Sequence, residues 1–328
     1  MSNHFNISIN NIGKLFILNN NYVLYQVNGH NYKIKLNKQE IGVLLNILRE
    51  EQIVINDENK LIINKLRNAQ LIRDNLEKED VYKNTSLEKS IIYFIEKHGE
   101  EAYQMLETIK SKSVLLIGIG GVGGELIKHL VAFGVENFIL IDPDTIHRSN
   151  LNRQFLYSIG DLGRKKVEIA EKFIKNNVTN ANVITFCEKI DCEEKLENFL
   201  YNQKPSIIIN TADTPPIISQ IAVVKYAHKY RIPYISGGVG YDDLYWGPII
   251  DSELKYKNYL SYLLKIKEKL IYSLVTMGSI SFTNSLLVDF MASDIFYYLC
   301  EKKNKIKSKD NRVIYEVANG TFKMVKNY

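Results

Sequence analysis

The run Gly118-Ile119-Gly120-Gly121-Val122-Gly123 satisfies the pattern G-x-G-x-x-G, and charged residues follow it at informative positions: Asp142, Arg153, Lys166 and Asp213. Glycines in that spacing let bare backbone turn tightly and approach a phosphate at a helix N-terminus. In dinucleotide sites an acid about 20 residues further on holds the ribose hydroxyls. Asp142 follows Gly118 by 24 residues, so to that point a nicotinamide dinucleotide fits as well as a triphosphate. Arg153 and Lys166 favour the triphosphate. Hydride transfer has little use for two cations behind the ribose-binding acid, whereas they suit the charge that develops on a leaving pyrophosphate.

These residues need rigid elements to hold them. Ser113–Ile117 reads as a short buried strand that ends at the glycine turn. A helix follows, with Leu126, Ile127, Leu130 and Val131 on one face and Gly134 as its stop. A second strand, Asn137–Ile141, delivers Asp142 at its carboxyl end. Arg164–Lys175 reads as a helix, and Val183–Phe186, Ile207–Asn210 and Tyr234–Ser236 as strands. Alternation of this kind predicts an α/β fold, a Rossmann-like mostly parallel sheet covered on both faces. Asp213 lies just past Ile207–Asn210, where Pro215 suits the first position of a helix. It reads either as a ligand group at a strand end or as a plain N-cap.

Taken in order, G-x-G-G-x-G, Asp142-Pro-Asp144, Ser149-Asn150-Leu151-Asn152-Arg153-Gln154 and Gly163-Arg164-Lys165-Lys166-Val167-Glu168 resemble the ThiF/MoeB/ubiquitin-activating family of carboxylate-adenylating enzymes, over about Ser111 to Pro248. The resemblance implies ATP as the nucleotide, with the backbone of Gly118, Gly120, Gly121 and Gly123 cradling phosphate and Asp142 holding the ribose. It makes Arg153 and Lys166 the cations of the leaving phosphates and Asn150 and Gln154 positioning residues. It gives Asp213 to Mg²⁺, in an element where Thr211 and Thr214 replace the family's Cys and Asn. It also implies a homodimer. The later run Gly237-Gly238-Val239-Gly240-Tyr241 … Trp246-Gly247-Pro248 looks most like the peptide-adenylating, microcin C branch of that family.

The chain departs from the family in three places. Asp251–Ser273 contains no Cys or His, so no structural zinc of the thiolate type is expected. Glu101–Leu106 has no arginine where sulfur-carrier activators have Arg-x-x-Arg. No cysteine lies between Cys192 and Cys300, which argues against a thiol acceptor there. Cys187 is expected to be a buried, inert thiol.

Residues 1 to about 84 read as a separate module, leaving 85–328 to the adenylation domain. Lys14–Leu18, Tyr22–Val27 and Tyr32–Leu36 are β-like runs separated by Asn19-Asn20-Asn21 and Asn28-Gly29; helices are expected at Lys38–Glu50 and Leu61–Ala69, with a strand-like tail at Leu71–Asp74. The order is that of a small winged-helix-like domain. Its place before an adenylating domain resembles the peptide clamp of ribosomal-peptide modifying enzymes, which holds a leader peptide as an added strand. A purely structural module is the alternative. Lys65, Arg67 and Arg73 alone are a thin phosphate footprint, so nucleic acid is not an expected partner.

The 328 residues carry 45% hydrophobic and 24% charged residues and a net charge of +5, an ordinary water-soluble balance. The start MSNHFNISINN has no basic-then-apolar signal, there is no long charge-free apolar span, and the three cysteines form no C-x-x-C. A cytoplasmic enzyme without disulfides or a membrane helix is therefore expected. Thr85–Lys112 reads as a helical bridge, Asp251–Ser273 as an amphipathic helix and Met277–Cys300 as a long apolar one. Lysines 302, 303, 305, 307 and 309 read as a solvated linker, and Asn319-Gly320 as the turn of a last hairpin. The reaction this points to is ATP-dependent adenylylation of a carboxylate on a ribosomally made peptide. Activation of a ubiquitin-like sulfur carrier, a leader-binding role beside a cyclodehydratase and an NAD(P)-linked oxidoreductase are the competing readings.

Overall fold

The computed structural model describes residues 7–9, 14–18, 22–27, 30–49, 55, 59–69, 71–74, 79–270 and 278–326. The expected turns at Asn19–Asn21 and Asn28-Gly29 lie outside these residues, as do Glu50, Ile271, Ser273 and Met277 from the expected helices. Packing divides the chain into two units, Met1–Gln104 and Met105–Tyr328.

In the first unit, β1 (Ile7–Ile9) waits in the chain for its partner, which is β5 (Ile72–Asp74), and the two pair antiparallel. Between them β2 (Lys14–Leu18), β3 (Tyr22–Val27) and β4 (His30–Lys35) form an antiparallel meander with β3 in the centre. Helix α1 (Lys38–Leu48) begins where the sequence Asn37-x-x-Glu40 closes a capping box. The Asn37 side chain accepts the Glu40 N–H at 2.9 Å, and the Glu40 carboxylate accepts the Asn37 N–H at 2.8 Å. Helix α2 (Lys60–Asn68) ties to that cap through Lys65 and Glu40 at 2.7 Å. Val23, Tyr25, Leu36, Leu44, Ile63, Leu66 and Leu71 form this unit's core. The expected bridge is two helices, α3 (Glu88–His98) and α4 (Glu101–Ser111).

The second unit is built on one eight-stranded sheet. In chain order its strands are β6 (Ser113–Ile117), β7 (Asn137–Ile141), β8 (Asn182–Phe186), β9 (Ile207–Asn210), β10 (Tyr234–Val239), β11 (Asp243–Trp246), β12 (Arg312–Glu316) and β13 (Thr321–Val325). Their spatial order is β13-β12-β11-β10-β9-β6-β7-β8. The five strands from β10 to β8 are parallel, and the three beyond β10 are antiparallel. Strands such as Val114–Ile117 and Ile207–Asn210 are buried along their length, as a sheet covered on both faces requires. One face carries α5 (Gly121–Phe133), α6 (Lys166–Asn177) and α10 (Ser281–Leu299). The other carries α7 (Glu193–Phe199), α8 (Ile218–Tyr230) and α9 (Glu253–Lys269). Leu115, Ile139, Ile208, Val224, Tyr259 and Leu263 belong to one buried cluster on the second face. Each such aliphatic side chain contributes ~1.5–3 kcal/mol relative to exposure.

Three local expectations are corrected. Helix α8 opens at Ile218 rather than at Pro215, so Asp213 is not its cap. The lysines after α10 are solvated as expected, all exposed except half-buried Lys302, but the backbone that carries them is fixed rather than a free linker. Asp294 of α10 accepts the N–H groups of Lys307 (2.7 Å) and Ser308 (2.8 Å) together with the indole N–H of Trp246 (2.8 Å), and Lys303 reaches Asp251 at 2.8 Å. Cys187 stands one residue past the end of β8 and is only half-buried, while Cys300 is buried and its thiol is pushed up to about 12 by desolvation. No helix among the described residues is long and apolar enough to cross a membrane.

Candidate nucleotide-binding and transfer site

The glycine turn leaves the carboxyl end of β6 at the centre of the sheet and enters α5 at Gly121. Gly118 sits at φ +86°, and a Cβ there would lie 2.6 Å from the Ala212 nitrogen. A Cβ on Gly123 would collide with the Gly118 carbonyl and the Thr211 hydroxyl. Only glycine permits this closeness.

The turn is held from three sides. The Gly118 N–H donates to the Ile141 carbonyl at 2.8 Å, and Thr211 Oγ1 donates to the Gly118 carbonyl at 2.8 Å. The Ile119 N–H donates to Asp142 Oδ2 at 2.5 Å, and the Tyr157 hydroxyl donates to the Ile119 carbonyl at 2.7 Å. Burial, with Asp142 and Asp144 nearby, pushes the Tyr157 phenol up, so it remains a donor. Thr211 stands where the resemblance places a cysteine, and here its hydroxyl pins the turn.

Asp142 is 4% exposed. Its second oxygen accepts the Asp144 N–H at 2.9 Å. Burial pushes its carboxyl above the ordinary value, against the lowering effects of Lys166 and the two backbone donors. Lys166, the first residue of α6, is equally buried. Its Nζ lies 2.8 Å from Asp144 Oδ2 and 4.0 Å from Asp142 Oδ1. Its backbone is fixed as well, the Lys166 N–H donating to the Asp144 carbonyl at 3.0 Å. Asp142, Asp144 and Lys166 are thus one group beside the turn.

The segment from Arg148 to Tyr157 covers the helix end. A short 3-10 turn, Arg148–Asn150, is closed by Asn150 Oδ1 accepting the His147 N–H at 2.9 Å. Asn150 therefore positions its own loop. The Arg153 guanidinium donates to the Ser149 carbonyl (2.9 Å) and Asn152 Oδ1 (2.8 Å), and its stem passes 3.5 Å from where a Cβ on Gly121 would lie. Gln154 is 4% exposed, its Nε2 is 3.8 Å from the corresponding point on Gly120, and its Oε1 has no hydrogen-bond partner. Asp213 lies on the loop after β9, exposed, with the Thr214 hydroxyl donating to it at 3.1 Å.

Helix α5 begins without a side-chain cap. Its first N–H groups are left for an anion, and Gly120 presents bare backbone on that side. The uncapped helix end and the bare glycine together fit a nucleotide phosphate, whereas the orphaned Gln154 amide oxygen, an acceptor, does not contribute to that fit. Asp213 fits magnesium, which takes one or two carboxylates and completes its shell with phosphate oxygens and water. Among the described residues no three of His, Cys, Asp and Glu cluster as an all-protein metal cage.

Sequence reasoning missed two residues. Tyr157 follows the Arg153-Gln154 motif by three, but nothing in its spacing shows that its hydroxyl reaches Ile119. Asn284, on α10, brings its Oδ1 to 2.5 Å from where a Cβ on Gly121 would sit, while its Nδ2 donates to the Ile280 carbonyl at 2.6 Å. That pairing spans more than 160 residues of sequence and carried no local signal.

Known proteins resemble the chain in sequence and in fold. The ThiF family profile matches residues 90–327. The NEDD8-activating enzyme E1 catalytic subunit of Caenorhabditis elegans is 36% identical over 151 residues, which is 43% of this chain and 34% of that protein. The Dictyostelium discoideum counterpart is 43% identical over 95 residues, or 29% of this chain and 21% of that protein. These matches thus span about a third or less of the relatives' length. Among solved structures, E. coli MccB with AMPCPP and MccA superposes with a TM-score of 0.69 at 18% identity, covering 98% of this chain and 96% of that one. PaaA gives a TM-score of 0.66 at 18% identity, covering 96% and 98%.

Proposed function

The chain belongs to the ThiF family of adenylyltransferases, and we propose that it transfers the adenylyl group of ATP to a carboxylate of a ribosomally made peptide. The observation that carries this reading is the grouping of Asp142, Asp144 and Lys166 beside a glycine turn clamped through both the backbone N–H and the carbonyl of Ile119.

In this reading a carboxylate oxygen of the peptide attacks the α-phosphorus of ATP. The bond from that phosphorus to the β-phosphate oxygen breaks, giving an acyl-adenylate and pyrophosphate. The backbone of Gly120–Gly123 holds phosphate at the uncapped end of α5, and Asp142 faces the ribose. Lys166 exchanges its Asp144 contact for the leaving phosphates, and Arg153 meets them from the covering loop. Gln154 and Asn150 keep that loop in place. Asp213 would hold magnesium, which would supply positive charge to neutralise the phosphates. The protein contributes orientation and fixed charge rather than covalent chemistry.

The first unit serves as the peptide clamp. Support comes from β4, an edge of the β2-β3-β4 meander among the described residues, where a peptide can add as a further strand. E. coli MccB was crystallised with MccA, which makes a peptide the natural acyl substrate to try. A homodimer, as the resemblance implies, completes the proposal.

The test is to mix the protein, Mg²⁺ and each nucleoside triphosphate with a library of short free-acid peptides and read masses. Peptides heavier by one AMP, with ATP alone, are expected. Hydrolysis of ATP to ADP with no modified peptide would sink the assignment.

A further inference from the structure

The chemistry of the β2-β3-β4 meander narrows the peptide it can hold. No Asp or Glu occurs on its three strands, which carry Lys14, Lys33 and Lys35. All three lysines are exposed and point away from the unit's core, since Leu15, Ile17, Val23, Tyr25 and Ile34 take the inward positions. Two of them stand on β4, which pairs with β3 alone among the described residues.

The two β4 lysines are presented differently. Lys33 Nζ lies 4.3 Å from the Tyr22 ring centroid, so that ring holds the ammonium over the outward face. Lys35 lines a cleft of about 300 Å³ at the end of β4, together with Leu36, Asn37, Glu40 and Lys65. The one acid there is already committed. Buried Glu40 accepts the Asn37 N–H through one oxygen and the Lys65 ammonium through the other. The cleft is therefore left with the unbalanced charge of Lys35.

A strand added along β4 must present alternate residues to opposite faces. Those opposite Lys33 and Lys35 fall two apart on the outward face, with cross-strand Cβ atoms about 4.5–5.5 Å apart. The residues that alternate with them fall on the other face, against Tyr32 and Ile34. Ile34 packs on the unit's core and Tyr32 is 50% exposed, so that face offers apolar contact.

We propose that the β4 edge selects a peptide segment in which acidic residues alternate with apolar ones. The acids face Lys33 and Lys35, the second entering the cleft beside Lys65, and the apolar side chains cover Tyr32 and Ile34. Backbone hydrogen bonds along the edge supply affinity without regard to sequence. The lysines supply the choice, because a basic segment would set like charges directly opposite each other. The partner is thus an acidic, amphipathic strand, the leader portion of the peptide substrate.

This inference rests on the first unit being the peptide clamp, and one experiment separates their failures. The full chain is panned against a displayed library of random dodecapeptides, and the most enriched peptide is labelled for anisotropy titration. Acidic residues at every second position, with apolar ones between, are expected. Lys33→Glu/Lys35→Glu should weaken its binding about tenfold at low salt. The same peptide with its acids changed to Lys should lose as much against wild type and regain affinity for the double variant. Melting curves establish folding. Asn31 and Tyr32 are neighbours whose N–H groups point to opposite sides of β4, so Asn31→Pro or Tyr32→Pro removes an outward donor. Peptides that bind less well to a folded proline variant, yet show no acidic alternation or bind Lys33→Glu/Lys35→Glu as tightly as wild type, would overturn the acidic selection and leave the clamp. No enriched peptide, or undiminished binding by every folded proline variant, would remove the clamp and this inference with it. Labelled oligo-dT bound more tightly than any peptide, and lost in Lys33→Glu/Lys35→Glu, would assign the lysines to phosphate and overturn it as well.

Discussion

The Asp142 carboxylate accepts the N–H of Ile119 at 2.5 Å, so the acid at the end of β7 is bonded to the glycine turn at the end of β6. Its other oxygen takes the Asp144 N–H. Asp142 is therefore a structural clamp on the turn as well as a candidate ribose ligand. Asp142→Asn puts an amide NH₂ against one of those two donors. It should cost ~1–3 kcal/mol in urea unfolding, the usual penalty for a buried unsatisfied group, and weaken MgATP binding. Tyr157→Phe removes the donor to the Ile119 carbonyl and should weaken MgATP binding about tenfold by the same reasoning. Wild-type ATP affinity in both variants would mean that the clamp is irrelevant to the nucleotide.

Two glycines separate folding from binding. Gly123→Ala collides with the Gly118 carbonyl and should lower thermal stability and nucleotide affinity together. Gly120→Ala meets nothing closer than Gln154 Nε2 at 3.8 Å. It should keep the wild-type melting temperature yet lose about tenfold or more in ATP affinity, because the methyl group occupies the space a phosphate needs. Calorimetric titration beside a melting curve distinguishes these results, and unaltered ATP binding by a folded Gly120→Ala would place the phosphates elsewhere.

Much of this arrangement was legible in the sequence, for a physical reason. Ser113–Ile117, Asn137–Ile141 and Ile207–Asn210 are short apolar runs bounded by glycine or polar residues, and such bounds are local. The αL stop at Gly134 is legible on the same grounds. Less legible were features set by distant partners. Strand β1 depends on β5, more than 60 residues away, and has no strong pattern of its own. The lysine-rich stretch after α10 reads as a solvated linker because its charges are local; its side chains are indeed exposed, but the fixing of its backbone is not local. Buried Asp294, 13 and 14 residues upstream, collects its backbone N–H groups. Pro215 misled because a proline after Asp-Thr suits a helix start, whereas the chain takes three more residues before α8 begins.

The Lys303 contact with Asp251 has a pH signature. Burial alone would raise the Asp251 carboxyl, but the Lys303 hydrogen bond and the Lys255 charge hold it below its ordinary 3.8. A depressed carboxyl stabilises the fold above its unfolded-state value and loses that contribution as pH falls through the depressed one. Asp251→Asn should therefore cost about 1 kcal/mol at neutral pH. The gap to wild type should narrow as pH drops below 3.8. Urea midpoints measured down the acid limb check this, and a constant gap would show that the ion pairs contribute nothing.

The clamp assignment rests on the β4 edge. Proline at successive positions of Tyr32–Lys35 removes one backbone donor each time. Folded variants that lose the outward donors should bind a full-length precursor at least tenfold more weakly while ATP affinity is unchanged. Fluorescence anisotropy with the labelled precursor of the peptide adenylylated best would report it. Undiminished binding in every folded variant would make the first unit a structural module.

The central claim is that the glycine turn, Asp142, Arg153, Lys166 and Asp213 form one adenylyl-transfer site. Substrate-dependent exchange of labelled pyrophosphate into ATP reads that reaction directly, because it requires reversible breakage of the α–β bond. Wild type with Mg²⁺ and its preferred peptide should exchange, and Lys166→Ala or Arg153→Ala should each lower the rate on the order of 10²-fold, the usual cost of one transition-state donor. Near-wild-type exchange in both variants would contradict the account.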